Sequence, residues 1–290
     1  MKQALLITAY KNLDHLKRII DHFDTNYSFY IHIDKKSRVT ENEINALRMN
    51  DRVFVSRAYQ TNWAGTNHLK CILLLMKMAL RDKGIEYIHL ISGHDFPIKS
   101  QAIFNTFLRN NKGKQFIEFF KLPSKYWENG GLDRLNYYYL YDYIDAKGKF
   151  GYLIHKIVNF QKRLGIQRKN RLGGMQAYGG STWWTLSRDC CDFIADYIAK
   201  NPKILRGFNY TFCAEEIFFQ TVILNSPFMD SVVNDNLRFI VWERRNGNMP
   251  AVLDESDYDT IKESKSLFAR RFDYPVSKPL LEMLKTNKSG

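Results

Sequence analysis

Cysteine is scarce in this chain of 290 residues. Only Cys71, Cys190, Cys191 and Cys213 occur, two of them adjacent, and no C-x-x-C pair is present. That spacing excludes a zinc module and a disulfide framework, and predicts reduced thiols in a reducing compartment. No run of about 20 apolar residues is found, so no membrane-spanning helix is expected. The N-terminus lacks the charged, apolar, small-residue order of a signal peptide. The expectation is a cytoplasmic chain, soluble or held at the inner face of the cell membrane. Familiar signatures are missing too. There is no Gly-x-Ser-x-Gly elbow, His-Glu-x-x-His helix, Rossmann fingerprint or P-loop. No zinc-finger spacing, RNP-type strand or basic zipper argues for a nucleic-acid partner.

Apolar residues make up 45% of the chain and charged residues 25%. This length and balance suit one large α/β domain or two closely packed halves. Aromatic residues reach 14% and the formal charge is +13. Aromatic faces serve sugar binding as well as core packing, and a basic surface seeks anionic partners.

The first 120 residues alternate strand and helix. Ala4 to Ala9 reads as a strand and Leu13 to Phe23 as a helix. A second strand, Ser28 to Ile33, ends at Asp34, and a short helix follows near Glu41 to Leu47. Val53 to Val55, Tyr87 to Ile91 and Gln115 to Glu118 read as strands, with helices over Asn67 to Arg81 and Ala102 to Leu108. This is the rhythm of a mostly parallel sheet flanked by helices. Such sheets bind ligands at the carboxyl ends of their strands. Asp34 and Asp95 stand at two of those ends, either contacting a ribose or base or closing a turn.

The second half is less regular. Between Asp145 and Asp189 there is no acid, and the interval carries Lys147, Lys149, Lys156, Lys162, Arg163, Arg168, Lys169 and Arg171. Leu153, Ile157, Phe160 and Leu164 fall at helical spacing within it. Region 147–171 therefore reads as a basic amphipathic helix on an anionic membrane, or as an ordinary helix with a solvated basic face.

Sugar transfer by direct displacement needs a carboxylate to deprotonate the acceptor and cations to stabilise a departing diphosphate. Glu215 and Glu216 open an apolar helix, where the helix dipole favours an ionised carboxylate. They serve as a base or merely as helix-start acids. Arg270 and Arg271, in Leu267-Phe268-Ala269-Arg270-Arg271-Phe272-Asp273, brace a diphosphate or form a surface basic pair. Asp257-Tyr258-Asp259 has the letters of a metal motif but lies in an acidic, turn-like stretch. It reads as a decoy, since metal sites need convergent ligands on a rigid frame.

Six ordered blocks then resemble the core-2/I-branching β1,6-N-acetylglucosaminyltransferase family, which also contains peptide O-xylosyltransferases. They are Tyr30 to Lys36, Trp63-Ala64-Gly65, His89 to Lys99, Gly180 to Trp184, Glu215 to Thr221, and Leu267 to Asp273. The resemblance implies a GT-A fold, inversion at the anomeric carbon, a UDP-sugar donor and no required metal or other cofactor. It implies Glu216 as general base and Arg271 on the diphosphate, with Asp34 near the uridine ribose. It implies that the loop around Trp63, together with Asp95 and Arg270, lines the nucleotide side. Glu118, Arg134, Trp183 and Glu215 fall near the acceptor. The branching enzymes carry a second diphosphate-binding arginine upstream. Its place falls near Asn248, so Arg244 and Arg245 are the candidates. The implied function is transfer of N-acetylglucosamine, or of xylose or another sugar, to an oligosaccharide or lipid-linked glycan in surface polysaccharide synthesis. The alternatives are a carbohydrate-binding protein on a degenerate transferase fold, and a metal-dependent transferase using Asp34 or Asp257 and Asp259.

Overall fold

The computed structural model describes residues 1–168 and 172–286. Lys169 and Arg171 of the basic interval lie outside the described residues. Twelve strands and eleven helices are used below. The strands are β1 (Lys2–Ala9), β2 (Tyr27–Ile33), β3 (Val53–Ser56), β4 (Ile85–Ser92), β5 (Asp95–Pro97), β6 (Gln115–Ile117), β7 (Phe120–Lys121), β8 (Tyr178–Gly179), β9 (Trp184–Ser187), β10 (Val232–Val233), β11 (Arg238–Ile240) and β12 (Phe268–Arg270). The helices are α1 (Leu13–Asp21), α2 (Glu41–Arg48), α3 (Thr66–Ala79), α4 (Gln101–Asn110), α5 (Asp133–Asn136), α6 (Tyr152–Arg163), α7 (Arg188–Lys200), α8 (Lys203–Phe208), α9 (Glu215–Leu224), α10 (Tyr258–Glu263) and α11 (Lys278–Thr286).

Seven strands form the central sheet in the order β10-β6-β9-β4-β1-β2-β3. The sheet is mixed but mostly parallel. Only β9 runs against its neighbours, β4 and β6. Strands from both halves of the chain share it. Alternation along β1 explains the layers, because successive side chains point to opposite faces. Ala4 and Leu6 join the core under α3, α7 and α9, with Leu69, Ile72, Leu75, Ile194, Ile217 and Phe218. Leu5, Ile7 and Ala9 join the opposite core under α1, α2, α4 and α11, with Leu16, Ile19, Ile44, Phe104 and Leu280.

Two features position the site. The chain leaves β1 for β2 and β3 on one side, then crosses back to place β4 on β1's other edge. That reversal opens a crevice at the strands' carboxyl ends. A second sheet, β11-β12-β5, then carries the C-terminal arginines to that crevice, with Arg270 opposite Asp95 in the β12–β5 register. Among the described residues no helix is long and apolar enough to cross a membrane.

Candidate active site

A cleft of about 1010 Å³ lies at this crevice. Thr8 and Ala9 from β1, His32 from β2 with Asp34 just past its end, and Ser92 and His94 from the β4 end line one wall. Glu215 and Glu216 from the start of α9, the turn Gly180 to Trp183, and Arg270 and Arg271 complete it. Helix α9 delivers its glutamates rigidly, because every residue after Glu216 is buried. Gly180 takes part in the same positioning. Its amide donates to the Glu216 carbonyl at 2.9 Å, and a Cβ there would run into the Glu118 carbonyl. Only glycine allows this approach.

Glu216 is the electrostatic centre of the cleft. Its Oε2 accepts a hydrogen bond from Arg134 Nη1 at 2.7 Å. Arg134 is itself clamped between two rings, 3.5 Å from the Trp127 centroid and 4.7 Å from that of Phe212. Glu216 Oε1 has no hydrogen-bond partner among the described residues, so one oxygen is held and the other faces the cleft. The carboxyl is pushed up to about 7, chiefly by burial and secondly by the neighbouring Glu215 charge; Arg134 and His68 oppose the rise. This corrects the expectation from the helix dipole. Position in the first turn favours the anion, but desolvation outweighs it. Glu216 is therefore poised to take a proton near neutral pH rather than being fixed as an anion.

Glu215 is engaged by a different partner. It is buried, its Oε1 lies 3.1 Å from His68 Nδ1, and its Oε2 has no hydrogen-bond partner. Glu118 lines the cleft, accepts from Asn236 Nδ2 at 2.6 Å, and has its carboxyl raised by burial and then by Asp235.

The arginines are arranged in two layers. Arg270 stacks 4.2 Å from the Trp183 ring centroid, and its Nε lies 3.5 Å from Asp95 Oδ1. Arg271 Nη2 lies 3.3 Å from His94 Nε2. His94 Nδ1 faces the Phe272 carbonyl at 2.9 Å, so we assign the ring proton to Nδ1. Burial, and then Arg271, lower the His94 imidazole to about 4, which leaves Nε2 as a neutral acceptor for Arg271 and for the Tyr10 hydroxyl at 3.0 Å. Arg271 thus meets a neutral partner on the cleft rather than a carboxylate.

Several expected positions fall elsewhere. Asp95 is fully buried behind the cleft wall, where its carboxylate accepts from the Ser92 amide and faces Arg270. It sets the wall rather than lining it. Asp34 does line the cleft, but its oxygens are engaged by the Lys36 amide at 3.0 Å and by Thr61 Oγ1 at 2.8 Å. Trp63 is 57% exposed in the cleft and packs edge-on to Phe212, the ring that clamps Arg134. Its place is the Glu216 end. Trp183 backs Arg270, so one of its faces is already covered. Arg134 bears on Glu216 itself.

Neither proposed second arginine reaches the site. Arg245 is bound to Asp257 through Nη2 at 2.6 and 2.7 Å and to Ser256 Oγ at 2.9 Å. Neither it nor Arg244 lines the cleft. The same pairing occupies Asp257, which also accepts from the Asp254 amide at 2.9 Å. The cleft cations without an ion-pair partner among the described residues are Arg38, Lys147 and Arg271. Lys11 is paired with Asp273 at 2.9 Å and Lys36 with Asp145 at 2.9 Å. Sequence reasoning gave no role to His94, Tyr10, His68, Arg38 or Trp127. Only His94 carried a signal, at the end of β4 inside a family-like block.

The model of the core-2/I-branching enzyme family matches residues 4–263. The chain belongs to the core-2/I-branching enzyme family of glycosyltransferases. Its sequence is similar to xylosyltransferase 2 of Canis lupus familiaris, 28% identical over 97% of this chain and 33% of that protein. It is similar also to xylosyltransferase 1 of Mus musculus, 24% identical over 97% of this chain and 30% of that one. The chain thus spans about a third of the length of these relatives. Among solved structures it resembles S. aureus TarS 1-349 in complex with UDP, with a TM-score of 0.32 and 14% identity over 42% of this chain and 36% of that one. In this core-2/I-branching enzyme the carboxylate of Glu216 and the guanidinium of Arg271 open on one cleft. Among the described residues no three His, Cys, Asp or Glu side chains converge as metal ligands.

Arg134 offers a test of the Glu216 environment. Arg134→Ala removes the cation that holds the carboxyl down, so the acidic limb of kcat/KM is expected to move upward by roughly one pH unit. Arg134→Lys should restore much of that shift. An unmoved limb in Arg134→Ala would show that the ion pair does not tune the carboxyl.

Proposed function

We propose that this chain is an inverting GT-A transferase that moves a sugar from a UDP-sugar to a carbohydrate acceptor, with Glu216 as general base. The observation that carries this reading is a carboxyl poised near neutrality, with one free oxygen, on the same cleft as the Arg270–Arg271 pair. The acceptor hydroxyl attacks the anomeric carbon and gives its proton to the free Glu216 oxygen. The bond from that carbon to the diphosphate breaks, and UDP leaves with the electron pair. Arg271 meets the charge that develops on the leaving oxygen, and such preorganised charge is worth most in a water-poor site. Arg270, held by Trp183 and Asp95, fixes the backbone from which Arg271 projects. The exposed Trp63 ring, at the Glu216 end, offers an apolar face to a pyranose.

Transfer on this scheme needs no metal, because the arginines supply the counter-charge. Arg38 and Lys147 are the cations we assign to the role left open by Arg244 and Arg245. UDP-N-acetylglucosamine is the first donor to test, and the xylosyltransferase relatives add UDP-xylose. A panel of UDP-sugars is expected to give one that raises thermal stability and releases UDP, at a rate unchanged by EDTA. Loss of activity in EDTA with recovery in manganese would replace this mechanism by a metal-dependent one. Glycan binding without any UDP-sugar binding would make the fold a carbohydrate-binding module.

A further inference from the structure

Helix α6 buries the wrong stripe for its apolar residues. Its inward face is Ile154, Val158 and Gln161. The more apolar stripe at helical spacing is Leu153, Ile157, Phe160 and Leu164. Leu153 and Ile157 are only half-buried, while Phe160 and Leu164 are 60% and 58% exposed. Phe150 and Tyr152 extend this uncovered patch at the helix start.

Cations flank it. Lys149 lies 5.9 Å from the Phe150 ring and Lys156 4.9 Å from that of Tyr152, while Arg163 is exposed beside Leu164. Two other cations of the interval turn elsewhere. Lys162 is paired with Asp133 at 2.6 Å, and Arg168 donates to Thr211 Oγ1 at 3.0 Å. The sequence supplies no acid from 146 to 188 to neutralise the patch. Aromatic and aliphatic side chains beside cations that have no ion-pair partner among the described residues suit the boundary between anionic headgroups and acyl chains.

We infer that the outer face of α6 docks on an anionic lipid bilayer. Its inner face bears on the cleft, since Ile154 packs with Ala64 and Cys213, both of which line it. Docking would therefore bring the Glu216 end of the cleft close to the bilayer, where a lipid-borne acceptor is presented. The inference does not depend on the chemistry at Glu216, because adsorption is measured without turnover.

The test is co-sedimentation of the full chain with vesicles of phosphatidylcholine containing 30% phosphatidylglycerol, in about 0.1 M salt. Binding is expected there, with little to pure phosphatidylcholine. Each basic side chain at such a surface strengthens binding about fivefold. Lys149→Glu/Lys156→Glu/Arg163→Glu should therefore weaken binding by well over tenfold. Phe160→Ser/Leu164→Ser should weaken it through lost apolar contact. Both variants should keep wild-type UDP release on a soluble acceptor, since none of these residues lines the cleft. A control with the same charge change elsewhere, Arg109→Glu/Lys112→Glu/Lys265→Glu, should bind far more tightly than the α6 charge variant. No binding to the anionic vesicles, equal binding to neutral ones, or equal loss in the control would overturn the inference.

Discussion

Glu216→Gln is expected to lower kcat by about 10²–10⁴-fold while donor binding is retained, because the amide cannot accept the acceptor's proton. The substitution keeps the size of the side chain and an oxygen for Arg134, so it removes little besides basicity. Stability supplies a second, independent reading. The Glu216 carboxyl is raised from 4.5 to about 7 in the folded chain. Between those values the folded state holds more protons than the unfolded one, so the native state loses stability as pH rises across that window. Above about 7 the full cost of the buried anion is present. Glu216→Gln should therefore melt higher than the wild type at pH 8 and alike at pH 5. Full activity in the variant would remove Glu216 from the role of base, whatever the melting curves show.

Arg271→Ala should cost about 2–4 kcal/mol of transition-state stabilisation, or roughly 30- to 1000-fold in kcat, by comparison with lost oxyanion donors. The physical reason lies in its partner. His94 is neutral and accepts through Nε2, so it orients the guanidinium without cancelling its charge. Arg271→Lys restores the charge but not the planar fork, and should recover only part of the rate. The contrast with Arg245 is instructive. That side chain is held by Asp257, so Arg245→Ala should affect folding or stability more than turnover. Equal turnover in Arg271→Ala and wild type would refute the leaving-group assignment.

The parts of this fold that sequence reading found are those with local causes. The run Ala4 to Ala9 lies within β1, and the alternating strand and helix segments to Gln115 all form, with ends shifted by a few residues. The insertion of β9 between β4 and β6 was not legible, because it pairs residues far apart in the chain, such as Leu90 with Trp184 and Ile117 with Trp184. Strands β10, β11 and β12 have two or three residues each, too few for an alternating pattern. The site divides in the same way. Glu216 and Arg271 were singled out because each stands in a family-like block, and the structure places both on one cleft. The Arg134–Glu216 pair spans 82 positions and His94–Arg271 spans 177, so nothing local announces either contact. For Asp95 the sequence left a ligand contact and a turn-closing role both open; the structure has it accept from the Ser92 amide, with the β12–β5 register turning it inward to Arg270. On α6 the spacing of Leu153, Ile157, Phe160 and Leu164 left a membrane face and an ordinary surface helix both open, and the core takes Ile154 and Val158 rather than that stripe.

The central claim is that Glu216 deprotonates the acceptor in a single displacement. Proton NMR of the glycoside formed from an α-configured UDP-sugar tests it most directly, because the linkage fixes the anomeric configuration. A single displacement predicts a β-linked product from the wild type and none from Glu216→Gln. A product that retains the α configuration would contradict the account, since it requires two displacements or a front-face mechanism in which Glu216 does not act as proposed.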